Sequence, residues 1–202
     1  MTAITIPLDI QLTPRSRAIM EALGRALDPR FVDTDDVSAP AEAAAPPVSA
    51  VSAPVAPGTY WPEHDAWYAG LQATPGGRLW HVLVPKAHVE ALKEVQWGRY
   101  GTIVDGASDM YDGLANTQAM VDAGLELAEK VMALGEGLYL PSRAEALLMF
   151  SSLKDQIGDG VVWTSTQYSA DTAWSQYFGS GYQRTFSKVC EFRAVPVRRL
   201  FL

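Results

Sequence analysis

The chain opens on strict alternation. In "ITIPLDIQL", Ile4, Ile6, Leu8, Ile10 and Leu12 alternate with Thr5, Pro7, Asp9 and Gln11. That period predicts a strand with one buried face, and Pro7 places it at a sheet edge. The period then lengthens. Thr13 at an N-cap and Pro14 at the first helical position precede Ile19, Leu23, Ala26 and Leu27 on one face, predicting a short amphipathic helix. So small a strand-helix unit cannot bury its own apolar face; it either docks on a partner or packs on the main domain. From Ser38 to Pro57 the chain is almost entirely Ala, Pro, Ser and Val, which gives a semi-extended linker with little to bury. Aromatic residues arrive together at "GTYWPEHDAWYAGL". The expected organisation is therefore an arm at 1–37, a linker at 38–57 and a globular domain at 58–202.

Within that domain, "GRLWHVLVP" reads as a strand and "HVEALKEV" as a short helix. "GLANTQAMVDAGLELAEKVMAL" predicts one or two helices, and "LPSRAEALLMFSSL" a helix whose Ser142 and Glu145 form a capping box. After Gly160 the pattern turns to short strands, "VVWTSTQYS", "TAWSQYF", "YQRTF" and "FRAVPVRRLFL", punctuated by Gly, Ser and Asp. Helices followed by an antiparallel meander predict an α+β domain. Pro196, which removes a ladder donor, marks an edge or bulge in the final strand.

Composition narrows the function. A formal net charge of −7 over 202 residues, with no block of Lys or Arg, argues against nucleic-acid binding. The single cysteine, Cys190, allows neither an intrachain disulfide nor a Cys-rich zinc site. The sequence carries neither a basic-then-apolar leader pattern nor an apolar run long enough to span a membrane, so synthesis in the cytoplasm without membrane insertion is expected.

Catalytic and metal chemistry find little support. Asp105, Asp109 and Asp112 lack the every-second-residue spacing of a calcium loop and read as a solvated turn. His64, His81 and His88 form no paired ligand motif, and "GSGYQR" is too short for a dinucleotide fingerprint. Ser165 and Cys190 are nominal nucleophiles without a local signature. We expect no enzyme activity, no cofactor and no metal.

Several ordered motifs carry a family resemblance. "GLYLPSRAEALLMF", "WTSTQYSADTAWSQYFGSGYQ" and "RAVPVRR", with "YWPEHDAWYAG" and "YDGLANTQAMVDAG" upstream, resemble the lectin-like C-terminal domain of phage and prophage proteins and some bacterial adhesins. The similarity covers roughly residues 59 to 201. It implies a C-type-lectin-like fold, the scaffold of phage tropism determinants and of variable proteins diversified by retroelements. Thr164 stands where the family usually has Ser, and the Glu-Pro-Asn and Trp-Asn-Asp motifs of calcium-dependent sugar binding are absent. The related formylglycine-generating enzymes need active-site cysteines, and this chain has one.

The resemblance also separates framework from display. Trp163, Ser165, Thr166, Ala173, Trp174, Phe178, Gly181, Gln183, Arg193, Val195, Val197, Arg198 and Arg199 match the family framework, and Lys188 is assigned with them. The positions between are expected to face a ligand: Tyr168, Asp171, Thr172, Ser175, Tyr177, Ser180, Tyr182, Arg184, Thr185, Phe186, Ser187, Val189, Cys190 and Phe192. Most fit the residues that adenine mutagenesis of Asn codons produces in retroelement-diversified relatives; Glu191 does not. Tyr, Phe, Ser, Thr and Arg together also have the composition of a paratope. In the competing reading, Tyr177, Phe178, Phe186 and Phe192 are core residues of a small sheet. The resemblance implies a phage tail adhesin on the virion, bound to tail proteins through the arm and to a host-surface receptor, protein or glycan, through the domain. By analogy with tropism determinants it implies a homo-oligomer, with a trimer as the model. A structural baseplate or decoration protein is the alternative, and an enzyme of the formylglycine-generating type is a remoter one.

Overall fold

The computed structural model describes residues 54–202. The strand and helix expected within 4–27, and the linker as far as residue 53, lie outside the described residues. What is described is α+β, built on two five-stranded sheets and three α-helices.

The first sheet has the order β1 (Tyr60–Trp61), β2 (Ala66–Ala73), β3 (Leu79–Pro85), β10 (Val197–Phe201), β5 (Leu138–Tyr139), all antiparallel. β3 is its centre. All but one of its residues are buried, because it has a neighbouring strand on each side and apolar clusters on both faces. The second sheet has the order β4 (Leu92–Gln96), β9 (Glu191–Ala194), β6 (Val161–Gln167), β7 (Thr172–Tyr177), β8 (Gln183–Ser187). β6, β7 and β8 form the expected meander, while β6 and β9 run parallel. Pro196 lies in neither strand. It falls between β9 and β10, where the chain leaves one sheet for the other, so the missing N–H interrupts no ladder.

Helices α1 (Gly113–Asp122) and α2 (Glu126–Ala133) match the predicted pair, and α3 (Arg143–Ile157) starts at the predicted cap. The Ser142 hydroxyl accepts from Glu145 N while the Glu145 carboxylate accepts from Ser142 N, closing the capping box. Met149, Leu153 and Ile157, four residues apart, then line one face. They meet Trp80, Val82 and Val84 of the first sheet and Val162 of the second in one core cluster, so α3 ties the sheets together. A second cluster gathers Trp97, Met120, Leu127, Val131 and Trp163 under α1 and α2. Burying one such indole removes roughly 200 Å² from water and contributes on the order of 5 kcal/mol.

The predicted helix at 88–95 is absent. A single 3-10 turn covers Lys86–His88, and Leu92–Gln96 is strand β4, paired with β9 through Leu92↔Ala194 and Val95↔Phe192. Eight residues are too few for a stable isolated helix, whereas pairing across a hundred residues lets Leu92 and Val95 pack on the second cluster.

Beneath the sheets lies a polar network that the sequence showed only in part. The fully buried Glu145 carboxylate accepts from Trp80 Nε1 at 2.9 Å and from Tyr139 OH at 2.7 Å, besides Ser142 N. Burial pushes its pKa above the ordinary value, against the pull of those donors and of Arg199. The Arg199 guanidinium lies 4.3 Å from the Trp80 ring centroid and reaches Asp112 Oδ1 at 2.6 Å. Asp112 thus departs from the solvated-turn expectation: it is buried, caps α1 through Ala115 N, and also meets Arg78 at 3.0 Å. Asp109 does organise a turn, accepting from Tyr111 N and Asp112 N.

Candidate functional site

Strand register decides which side chains share a face. The pairs Ser175↔Arg184 and Ala173↔Phe186 between β7 and β8, with Val161↔Tyr177 and Trp163↔Ser175 between β6 and β7, put these residues on one side of the sheet. Trp163 and Ala173 are sealed into the second core cluster at one end of that side. At the other end Val161, Ser175, Tyr177, Arg184 and Phe186, joined by Ser180 and Tyr182 from the β7–β8 turn, enclose a pocket of about 410 Å³.

The turn holds the pocket's rim in place. Tyr177 N donates to Tyr182 O and Gly181 N to Tyr177 O, each at 2.8 Å. Gly181 has a φ of +84°, and a Cβ there would come within 2.7 Å of the Phe150 ring, so only glycine suits the position. Phe178 points the other way, fully buried against Phe150. Tyr177 and Tyr182 remain 43% and 69% exposed, so neither ring is consumed by the core. Phe186 is half-buried and stacks edge-on with Phe192 at 4.8 Å, and Phe192 leans on Trp163 at 4.9 Å. A relay of rings therefore braces the pocket wall against the core. Of the four aromatic residues in the competing core reading, Phe178 alone is fully buried; Phe186 and Phe192 are half in and half out.

The pocket collects six of the fourteen display positions: Ser175, Tyr177, Ser180, Tyr182, Arg184 and Phe186. Thr172, Thr185 and Ser187 lie on the opposite side of the same hairpin, as the two-residue period requires. That side carries Trp174, whose ring is only half-buried. The Arg143 guanidinium lies 3.5 Å from its centroid and exposed Tyr168 meets its edge at 5.5 Å. Trp174, one of the residues matched to the family framework, is thus a stacking residue at the surface and not sealed in the core as Trp163 is. Gln183 locks Arg143 in place, donating to Arg143 O at 2.7 Å and accepting from Arg143 Nε at 3.2 Å. Asp171 sits in the β6–β7 turn. Val189 borders a separate pocket with Arg99 and Leu125, and Cys190 packs half-buried on the second cluster. The fourteen positions therefore do not form one continuous surface.

Val161, the seventh lining residue, was read only as strand; its i, i+2 relation to Trp163 is the signal that places it on this face. Lys188 is completely buried. Its ammonium donates to Thr102 O at 2.5 Å and to Gln167 Oε1 at 2.7 Å, and lies 4.7 Å from the Trp97 ring. Burial lowers its pKa from 10.5 to about 8, with Asp171 opposing.

Chemically the pocket is suited to binding. No His, Asp or Glu borders it, so the Ser175 and Ser180 hydroxyls have no base beside them, and Ser175 Oγ already donates to Arg184 O at 3.1 Å. Ser165 is buried and donates to Pro141 O. His81 is satisfied by the Tyr68 hydroxyl at 2.8 Å, with burial, then His64, lowering its pKa. Among the described residues no three His, Cys, Asp or Glu side chains converge to hold a metal ion, and no helix is long and apolar enough to cross a membrane. No family model matches the chain, and no curated protein matches it.

Proposed function

We propose that the chain is a phage or prophage tail adhesin, a C-type-lectin-like domain carried on the virion that binds a host-surface receptor through the pocket face of β7 and β8. The observation that carries this reading is the convergence of Ser175, Tyr177, Ser180, Tyr182, Arg184 and Phe186 on one pocket. All six are positions that the family resemblance leaves outside the framework. The fold assignment rests on the motif resemblance together with the two-sheet α+β architecture. Recognition is reversible, with tyrosine and phenylalanine supplying contact area at low entropic cost and Arg184 supplying charge. The arm at 1–37 attaches to the particle, the linker gives reach, and several copies in a homo-oligomer raise the effective concentration of sites.

The test is adsorption of the purified full-length chain to a panel of bacterial strains. Substituting Tyr177, Tyr182 and Arg184 together by Ala abolishes adsorption while the cooperative unfolding transition stays in place. Each truncation at a hot spot costs about 1–3 kcal/mol of binding. Adsorption that survives the triple substitution would refute the reading and favour a baseplate or decoration protein. Diversification by a retroelement predicts a reverse transcriptase gene nearby, with a near-copy of the codons for residues 168–192.

A further inference from the structure

The four sheet edges among the described residues are not alike. β1 and β5 are two residues each, too short to template another strand. β4 is interrupted by a register shift between Leu92 and Val95 and carries exposed Lys93 and Glu94. These are the devices by which sheets discourage further pairing. Of these devices β8 has only one, the exposed charge of Arg184. Its five residues pair with β7 in unbroken register and include neither Pro nor Lys, and the sheet ends there. Alternate N–H and C=O groups along β8 therefore face outward without a ladder partner, except that Ser187 O accepts from Cys190 N at 2.9 Å in the turn that follows.

The pocket opens beside this edge. Arg184 and Phe186, two residues apart on β8, both line it. Arg184 is exposed, its guanidinium lies 5.7 Å from the Phe186 ring centroid, and no described carboxylate pairs with it. An open edge, an apolar pocket reached from it and an unpaired guanidinium at the rim together define a ligand. Resting on the adhesin reading, we infer that the receptor is a protein that adds an extended strand to β8. It places an apolar side chain in the pocket and, two residues along, a carboxylate on Arg184. A glycan fits the lining less well. Sugar hydroxyls need several partners when desolvated, whereas the lining is mostly hydrocarbon and Ser175 Oγ is already engaged. Strand addition takes affinity from main-chain hydrogen bonds and specificity from alternate side chains.

The probes are blocked pentapeptides, acetyl-Thr-X-Thr-Z-Thr-amide, with X Phe, Tyr or Leu and Z Asp or Glu, titrated into the isotopically labelled full-length chain. Backbone amide shifts across Gln183–Ser187 and slowed exchange of those amides are expected. N-methylation of the peptide nitrogens that face β8 weakens binding at least roughly tenfold. Replacing the peptide carboxylate by its amide, or Arg184→Gln in the chain, each weakens it roughly tenfold, and the two losses do not add. The inference is overturned if no peptide shifts these amides at millimolar concentration, or if methylated and unmethylated peptides bind equally. It is also overturned if soluble oligosaccharides shift the pocket residues instead, or if the β8 amides shift with protein concentration alone, which would identify the occupant as a second copy. Adsorption of the chain to protease-treated cells separates this idea from the function it rests on. Undiminished adsorption that still needs Tyr177, Tyr182 and Arg184 removes the protein strand and leaves the adhesin.

Discussion

Replacing Lys188 by Met removes a charge from the centre of the packing between the Thr102 loop and the β8–β9 turn while keeping most of the hydrocarbon volume. The ammonium now bonds to Thr102 O and Gln167 Oε1, and Gln167 Oε1 in turn accepts from Val104 N at 2.8 Å. The backbone of Lys188 holds the same region, accepting from Trp97 N and Gly98 N and donating to Asp171 O. Losing two side-chain hydrogen bonds costs about 2–3 kcal/mol. Against this stands the burial of the charge: lowering the pKa from 10.5 to about 8 corresponds to about 3 kcal/mol of preference for the neutral form. The two nearly cancel near neutral pH, so Lys188→Met changes stability there by no more than about 1 kcal/mol.

The pH profile separates them. In the native state Lys188 gives up its proton near pH 8 and in the unfolded chain near 10.5, so between these values the unfolded state binds more protons. Stability therefore rises with pH across that window, as the full burial cost present below pH 8 is relieved. Between pH 7 and 9 the gain is about 1 kcal/mol for wild type and is absent from the variant. Urea unfolding of the full chain, followed by tryptophan fluorescence at several pH values, measures the difference by linear extrapolation. Groups common to both proteins cancel. Parallel profiles for wild type and Lys188→Met over that range would refute the claim that a buried ammonium is carried at neutral pH.

Four further outcomes are expected. Ser142→Ala removes the reciprocal cap of α3 and lowers stability by about 1 kcal/mol in denaturant unfolding. Arg199→Met leaves the buried Asp112 carboxylate with only Arg78 and the Ala115 N–H and costs about 2–3 kcal/mol, read as a lower thermal midpoint. Burial alone would raise the Asp112 pKa, but the hydrogen bond from Arg199, the Ala115 N–H and the charges of Arg199 and Arg78 hold it below its usual value. Its stabilising contribution is thus complete above the unfolded value and lost as pH falls through the lowered one, and acid titration of Asp112→Asn lacks that decline. Gly181→Ala forces a positive φ on a residue with a side chain and drives it at Phe150, costing about 1–3 kcal/mol and weakening ligand binding through the displaced Tyr182.

What could be read from the chain was local. The capping box of α3 lies within four residues, and β3 is an apolar run broken only by His81, so both needed no partner to be recognised. β4 was misread because its period over eight residues fits a helix as well as a strand, and the arbiter, Ala194 and Phe192 of β9, is a hundred positions away. Asp112 was misread for the same reason: its spacing from Asp105 and Asp109 says turn, while its partner is Arg199 at the far end of the domain. The network around Glu145 gave only one visible sign, the cap, because Trp80 and Tyr139 reach it through the fold.

The display positions show the same division in sharper form. The resemblance set the positions between the framework residues from Tyr168 to Phe192 apart as display positions and their composition suits contact, but neither carries a direction. Direction comes from the pleat. Counting every second residue along β8 separates Arg184 and Phe186 from Gln183, Thr185 and Ser187, and this alternation alone would have divided the set before any coordinates. The two sides of the hairpin also differ in what holds them. Behind the pocket, Phe186 rests on Phe192 and Phe192 on Trp163, so its wall is fixed through a ring embedded in the core. On the other side Trp174 is held by Arg143, itself tied to Gln183 and anchored at the start of α3. Changes at the exposed Tyr182 side chain touch neither support, and Arg184 meets one only where its guanidinium lies 5.7 Å from the Phe186 ring centroid. A ligand surface can then vary while the fold that presents it stays the same.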